Sequence, residues 1–443
     1  ISPSGRQVVF EARGDLFTVP LEPGPAFDIT RTSGAAERFP SWSPDGTTIA
    51  YWSDRTGEYE LTVRRADGAG DERTVTRLGP GFRYRIFWSP DSTRVAFVDQ
   101  AMNIELCDIA SGAVTRMDQA LYLYESSLER FAVSWSPDSR WVAYRRPLPN
   151  RRSAIFLYDT RDRKLAQATS GFCDDFSPVF DPEGRFLYYG SQRSFLPSIG
   201  TDDSWIFANT DKLVAVPLRR DVRSPLALDS GEEGGGSAAS AGRTAAMGID
   251  LEGFEDRAVI LPPRERYTDL QALPGKLFYR RLPRTGSGEQ DTALVFYDLA
   301  ERGERTVLDD VDSYEIAANG GKILAGKKTA FAVVEPKPGQ KMDRPLPTSE
   351  LEMLVEPLAE WRQIFADAWR FERDVFYDPH MHGVDWPEMR KRYGALLEGC
   401  VTRFDVNDLL GEMLGELNSS HAYRSGGDLE TVERLSLIHI SEP

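Results

Sequence analysis

Five stretches of the chain set a turn of constant make-up ahead of two large, mostly apolar side chains spaced two apart. They are ISPSGRQVVF from Ile1, WSPDGTTIAY from Trp42, WSPDSTRVAF from Trp88, WSPDSRWVAY from Trp135 and FDPEGRFLYY from Phe180. The fifth and seventh residues after each proline are Val8 and Phe10, Ile49 and Tyr51, Val95 and Phe97, Val142 and Tyr144, and Leu187 and Tyr189. Period-two burial of this kind predicts a strand. Ahead of it the proline fixes φ, the Asp or Ser can bond nearby backbone, and Gly5, Gly46 or Gly184 can take a left-handed conformation, which together make a tight turn. The prolines stand at 3, 44, 90, 137 and 182, giving steps of 41, 46, 47 and 45 residues.

A second strand type recurs within each unit. AIFLYDTRDRK from Ala154 has counterparts at Asp15 (DLFTVPL), Glu60 (ELTVRR), Asn103 (NIELCDIASG), Leu213 (LVAVPLRRD), Ala293 (ALVFYDLAERG) and Ala330 (AFAVVEP), seven in all. Degraded copies of the turn, LPGKLFYRR from Leu273 and AANGGKILAG from Ala317, complete seven turns if the 92-residue step from Pro182 to Pro274 holds one unit with an insertion. That insertion is expected over about 219–256, where the Gly/Ser/Ala-rich run DSGEEGGGSAASAGR has too few apolar groups to order itself and can extend a hairpin tip without disturbing a core. IDLEGFEDR, Ile249 to Arg257, is expected to be the re-entry strand. Units of about 45 residues with four short strands each predict a mainly β fold, a seven-bladed β-propeller over residues 1–345. Ile1 enters in mid-motif, so the first blade is expected to be incomplete and to lack the strand that closes the ring.

Near residue 350 the period changes. After a Pro-rich linker at 346–356, Trp361, Ile364, Phe365, Ala368 and Trp369 fall at helical spacing and predict a helix from about Pro357 to Tyr377. A second helix starts at VDWPEM, with Asp385 as N-cap, Pro387 in the first turn and Glu388 three residues on. A third begins near Thr402, in capping-box spacing with Asp405, and buries Val406, Leu409, Leu410, Met413, Leu414 and Leu417 before ending at Asn418. Residues 357–434 thus form a small three-helix segment.

Charge and composition narrow the function classes. Of 443 residues, 41% are hydrophobic and 28% charged, enough for more than one domain, and the formal net charge of −16 opposes nucleic acid and anionic lipid. No membrane-spanning run is present. Cys107, Cys173 and Cys400 are isolated, which points to a reducing, cytoplasmic setting and offers no Cys/His metal spacing. Neither a metal nor an organic cofactor is expected.

Few residues invite chemistry. In ELNSSHAYRSGGD, Glu416 to Asp428, a Ser-His pair ends the third helical pattern just ahead of two glycines. On spacing alone His421 reads more readily as a helix-terminal histidine with a satisfied hydrogen bond than as a base. His380 and His382 in DPHMHGVDW have no third ligand nearby and are expected to serve a loop. Asp45, Asp91 and Asp138 of the WSPD copies are expected to form turns rather than a ring of ligands.

Taken together, the S-P-D-G turns, the Pro-rich linker, FADAWRFERDVFYD and CVTRFDVNDLLGEMLGELNSSHAYRSGGD resemble the tricorn protease family over residues 1 to about 434. The resemblance implies a seven-bladed propeller followed by the first segment of a split serine-protease core, which acts on oligopeptides in the cytoplasm as a large homo-oligomer. The propeller would filter and channel peptides. His421 matches the family's catalytic histidine, the general base, and Ser420 the serine that orients it; the nucleophilic serine, oxyanion hole and orienting acid of the family lie beyond the last residue here. The chemistry is coherent, since a serine hydroxyl needs a base and an imidazole titrating near ~6.5 can serve at neutral pH. The chain alone is therefore expected to be inactive. The rival from another class is a TolB-like propeller acting as a non-catalytic scaffold for protein binding. LSLIHISEP, residues 435–443, looks like the translation of a sequencing adapter, which would leave His439 without function.

Overall fold

The computed structural model describes residues 1–122, 128–194, 199–201, 204–206, 208–227, 247–262 and 266–428. The run at 228–246 within the expected insertion, and the segment 435–443, lie outside the described residues. Contacts divide the chain into two compact units, one of Ile1–Arg31 with Glu37–Met353 and one of Thr32–Ala36 with Leu354 onward.

In the first unit the described strands form eight antiparallel sheets, seven of them the blades of a β-propeller and one a two-stranded hairpin, each with neighbours paired in chain order. Blade one holds Gln7–Ala12, Asp15–Pro20 and Phe27–Asp28; blade two Glu37–Trp42, Thr48–Ser53, Glu60–Arg65 and Arg73–Thr74. Blade three holds Phe87–Trp88, Arg94–Val98, Asn103–Asp108 and Val114–Gln119, and blade four Val133–Trp135, Trp141–Pro147, Ser153–Asp159 and Lys164–Gln167. Blade five consists of Asp175–Phe180, Phe186–Gln192, Asp211–Pro217 and Val259–Ile260; blade six of Tyr267–Leu273, Lys276–Arg281, Ala293–Asp298 and Gly303–Leu308. Blade seven has Ser313–Ile316, Ile323–Lys327 and Ala330–Val334.

The WSPD copies make the predicted turns, and the hydrogen bonds give the reason for each residue. Ser43, Ser89 and Ser136 donate their hydroxyls to Asp45, Asp91 and Asp138 at 2.6, 2.6 and 2.5 Å. Asp45 then accepts the Thr47 N–H at 2.9 Å, while the Ser43 hydroxyl accepts the Thr48 N–H at 3.0 Å. Although partly desolvated, Asp45 is held below the usual carboxylate range by the bonds from Ser43 and Thr47. These aspartates are committed to backbone.

Where blade two has Gly46 (φ 76), blades three and four place Ser92 (φ 60) and Ser139 (φ 59) in the same left-handed conformation, which a side chain disfavours. Each serine hydroxyl accepts an N–H from the blade before it, Ser92 from Asp45 at 3.1 Å and Ser139 from Asp91 at 3.0 Å. The leading tryptophans add a second link of the same sense: Trp88 Nε1 donates to Ser41 O at 3.2 Å and Trp135 Nε1 to Phe87 O at 3.1 Å. Trp42 Nε1, by contrast, is buried without a hydrogen-bond partner among the described residues.

Alternation along the strands describes which neighbour a side chain meets rather than which side is wet. In blade five Leu187, Tyr189, Val214 and Val216 pack on Trp141, Ala143, Ile155 and Leu157 of blade four. The intervening Phe186, Tyr188, Leu213 and Ala215 pack on Leu277, Tyr279, Ala293 and Val295 of blade six. Both faces are dry because blades stack face to face, and each large side chain so buried contributes about 1.5–3 kcal/mol. The stack closes on itself. Ile1, Val8 and Val19 of blade one pack with Ala317, Phe331 and Val333 of blade seven, Phe10 meets Phe331 at 4.9 Å between ring centroids, and Asn319 N–H donates to Pro3 O at 3.2 Å. Blade one opens with the strand that stands second in blades two to six.

Two features depart from expectation. IDLEGFEDR is not a strand: it turns through Gly253 (φ 62) into a single 3-10 turn at Glu255–Arg257, and the strand starts at Val259. The Arg257 guanidinium curls this segment by collecting the carbonyls of Pro217, Asp250, Glu252 and Gly253, while Phe254 enters the core. A hairpin of Ile199–Thr201 and Ser204–Ile206, unanticipated, adds a second excursion to the same blade.

Blade five also replaces the turn serine by Asp181, which is fully buried. Its Oδ2 accepts the Arg185 N–H at 3.1 Å, but Oδ1 has no partner, and burial pushes the carboxyl above its ordinary range. The folded state thus holds a proton that the unfolded chain releases near pH ~4, so this group's stabilisation is complete below that pH and is lost as pH rises through the raised native value. Asp181→Asn should gain stability relative to the parent between pH 4 and 7, read as urea midpoints; midpoints that run parallel across that range would contradict the assignment.

The second unit contains α1 (Pro357–Val375), α2 (Trp386–Leu396) and α3 (Arg403–Gly415). Glu356 gives α1 no side-chain cap; instead Ser33 accepts the Glu356 N–H at 3.0 Å and donates to Leu354 O at 3.2 Å. Asp385 caps α2 through the Glu388 N–H at 3.0 Å, and Thr402 with Asp405 forms the predicted capping box of α3. Phe365, Trp369, Trp386, Met389, Val406, Leu410, Met413 and Leu417 make its core. Trp369 and Trp386 exchange hydrogen bonds, each indole N–H donating to the other's carbonyl at 2.8 and 2.9 Å.

Candidate active site

The segment bearing the Ser-His pair leaves α3 through Leu417, fully buried and the last residue of the helical core. A left-handed Asn418 (φ 47) then turns the chain outward, and Ser419 Oγ donates to Ser420 O at 3.3 Å. Ser420 and His421 are both exposed, and His421 is itself left-handed at φ 67. Its ring meets Tyr423 edge to face with centroids 6.1 Å apart. The expected hydrogen bond between Ser420 and the imidazole is not formed among the described residues; successive side chains of a non-helical segment point to different sides.

Beyond His421 the chain is drawn back onto α3. Arg424 pairs with Asp408 at 2.6 Å, and Asn407 Nδ2 donates to Gly426 O at 3.0 Å. Gly426 and Gly427 stand at φ 83 and 90, and a Cβ on Gly427 would lie 2.6 Å from Arg403 Cζ, so the double glycine is needed both for its conformation and for its closeness to α3.

His380 and His382 occupy the loop between α1 and α2, as expected, but not equivalently. Asp378 anchors the loop by accepting the His380 N–H at 3.0 Å and the His382 N–H at 2.9 Å. The His382 ring joins Tyr377 to the end of α3: Nδ1 lies 2.8 Å from Leu417 O, and Nε2 is hydrogen-bonded to the Tyr377 hydroxyl. Spacing carried no signal of this bond, which spans 35 positions. Among the described residues no group of three or more His, Cys, Asp or Glu side chains could hold a metal ion, and no helix is long and apolar enough to cross a membrane.

Comparison with known proteins agrees with this architecture. The family model for the tricorn protease second beta propeller domain matches residues 1–337, and that for the tricorn protease C1 domain matches residues 357–415. Neither span includes Ser420 or His421. The chain is 29% identical to tricorn protease homolog 1 of Streptomyces coelicolor, over 93% of this chain and 41% of the relative. It is 26% identical to the tricorn protease homolog of Saccharolobus solfataricus, over 98% of this chain and 40% of the relative. The crystal structure of the tricorn protease superposes with a TM-score of 0.81 at 20% identity, covering 96% of this chain and 41% of that one. The chain thus spans about two-fifths of the length of these relatives. With its propeller and its helical unit matched in order, the chain belongs to the tricorn protease family.

Proposed function

We propose that this chain is the propeller and first core segment of a tricorn-like serine peptidase acting on oligopeptides, with His421 as general base. The supporting observation is the His421 loop, exposed between two tethers to the helical core in a chain of this family. His421 takes the proton from the hydroxyl of a serine supplied outside residues 1–443 as that oxygen attacks the scissile carbonyl. It then returns the proton to the departing amine, so that an acyl-enzyme forms and the peptide bond breaks without net proton loss. Ser420 accepts or donates a hydrogen bond at the imidazole once the complete site is assembled. The propeller admits extended peptides to that site, and the polypeptide works as a cytoplasmic homo-oligomer. A purely scaffolding propeller leaves the tethered Ser-His loop without a task.

The test is turnover of a fluorogenic peptide by the full-length gene product and by the 443-residue chain. Turnover by the former and none by the latter is expected, because the chain brings a base without a nucleophile. Activity of the 443-residue chain that disappears in His421→Ala would sink that division of roles.

A further inference from the structure

The bonds of His382 have no part in the chemistry just described, yet they converge on the residue from which the Ser-His segment departs. A carbonyl oxygen only accepts, so the 2.8 Å contact with Leu417 O requires the proton on His382 Nδ1. In the neutral ring Nε2 is then the acceptor, and the Tyr377 hydroxyl donates to it. The ring is further fixed by edge-to-face contact with Phe376 at 5.1 Å and with Tyr377 at 5.2 Å, and its backbone by the Asp378 carboxylate. On the other side of the bond, Leu417 is the last buried residue before Asn418 turns the chain outward. Asn407, through Gly426 O, holds the far end. His421 therefore stands in a loop whose two ends each carry a side-chain hydrogen bond to a backbone carbonyl, with the Arg424–Asp408 ion pair between His421 and the second.

We propose that His382 is a positioning residue for His421: its Nδ1–H holds the Leu417 carbonyl and so sets where the loop leaves the helical core, with Tyr377 fixing the tautomer that makes this possible. The role rests on His421 being the general base. A displacement of the order of 1 Å at a catalytic group lowers turnover by up to about a hundredfold, which sets the scale of the effect.

In the full-length polypeptide, His382→Leu is expected to lower kcat roughly ten- to a hundredfold with KM little changed. His382→Asn, whose side-chain N–H stands where Nδ1–H stood, should recover most of the loss. A merely structural role would give kcat and thermal stability falling together, by similar amounts in both variants. The second readout needs no turnover: with four histidines in the chain, imidazole ¹⁵N spectra resolve each ring. His382 should be the Nδ1–H tautomer, and the His421 resonances should move in His382→Leu and return in His382→Asn. An Nε2–H tautomer at His382, or equal impairment by leucine and asparagine, overturns the proposal. If His421→Ala leaves turnover intact, the general-base reading falls; if His421→Ala abolishes it while His382→Leu does not alter it, the positioning role falls alone.

Discussion

With His421 as the general base proposed above, its replacement by alanine in the full-length polypeptide is expected to lower kcat by about three to six orders of magnitude, with little change in KM. That range is the loss when a serine enzyme keeps its oxyanion donors and peptide-binding surface but has no base for its nucleophile. The exposed position makes the result clean: among the described residues the His421 ring has Tyr423 as its aromatic neighbour, so the variant should fold and melt as the parent does. Steady-state kinetics with a fluorogenic peptide, beside a thermal melt, separates the two effects. Ser420→Ala should do less, because an orienting hydroxyl acts through the imidazole rather than on the substrate. A kcat within tenfold of the parent in His421→Ala would remove the histidine from the mechanism.

The second large effect is on the helical unit itself. Trp386→Ala is expected to destabilise it by about 3–5 kcal/mol, the usual result of emptying a buried tryptophan site. Trp386 is 2% exposed, and its removal takes the indole hydrogen bond away from the Trp369 carbonyl and empties a site in the core that includes Met389 and Met413. Hydrogen exchange of the amides in α1 to α3 reads this unit directly. At 1.4 kcal/mol per tenfold, protection should fall by roughly two to three and a half orders of magnitude. Trp386→Phe, which retains a large ring but not the N–H, should lose far less. Protection within tenfold in the alanine variant would mean that the exchanged indole bonds do not bind the two helices as described.

How much could be read from the residues follows from the range of the interactions. The WSPD turns, the Asp385 cap and the Thr402–Asp405 box are made by groups within five positions of each other, and all are legible as written. The seven blades followed because one local pattern repeats, even in the weak copies at Leu273 and Ala317. The family was legible from the motifs around it, and the propeller and helical matches bear this out. The double-sided burial of Leu187 and Tyr188 was not, since period two gives the pleat but not what lies across each face. Nor was the 3-10 turn at Glu255–Arg257, where one guanidinium overrides strand propensity by gathering carbonyls from two segments. His382 is the sharpest case. Its neighbours in sequence suggest a loop, and the bond that gives it a role reaches the far end of another helix.

The seam between blades one and seven also sets a schedule for synthesis. Asn319 and Pro3 meet across roughly 300 intervening residues, and Val8 and Val19 find Phe331 and Val333 only then. At ribosomal rates of roughly 5–20 residues per second, the apolar side of blade one waits on the order of 15–60 s for its cover. During that interval the nascent chain carries a finished sheet with an open face, the state in which chaperones bind and chains aggregate. The final docking is a high-contact-order event and comes late, so the yield of folded protein will depend on how that face is shielded while the other six blades are being made.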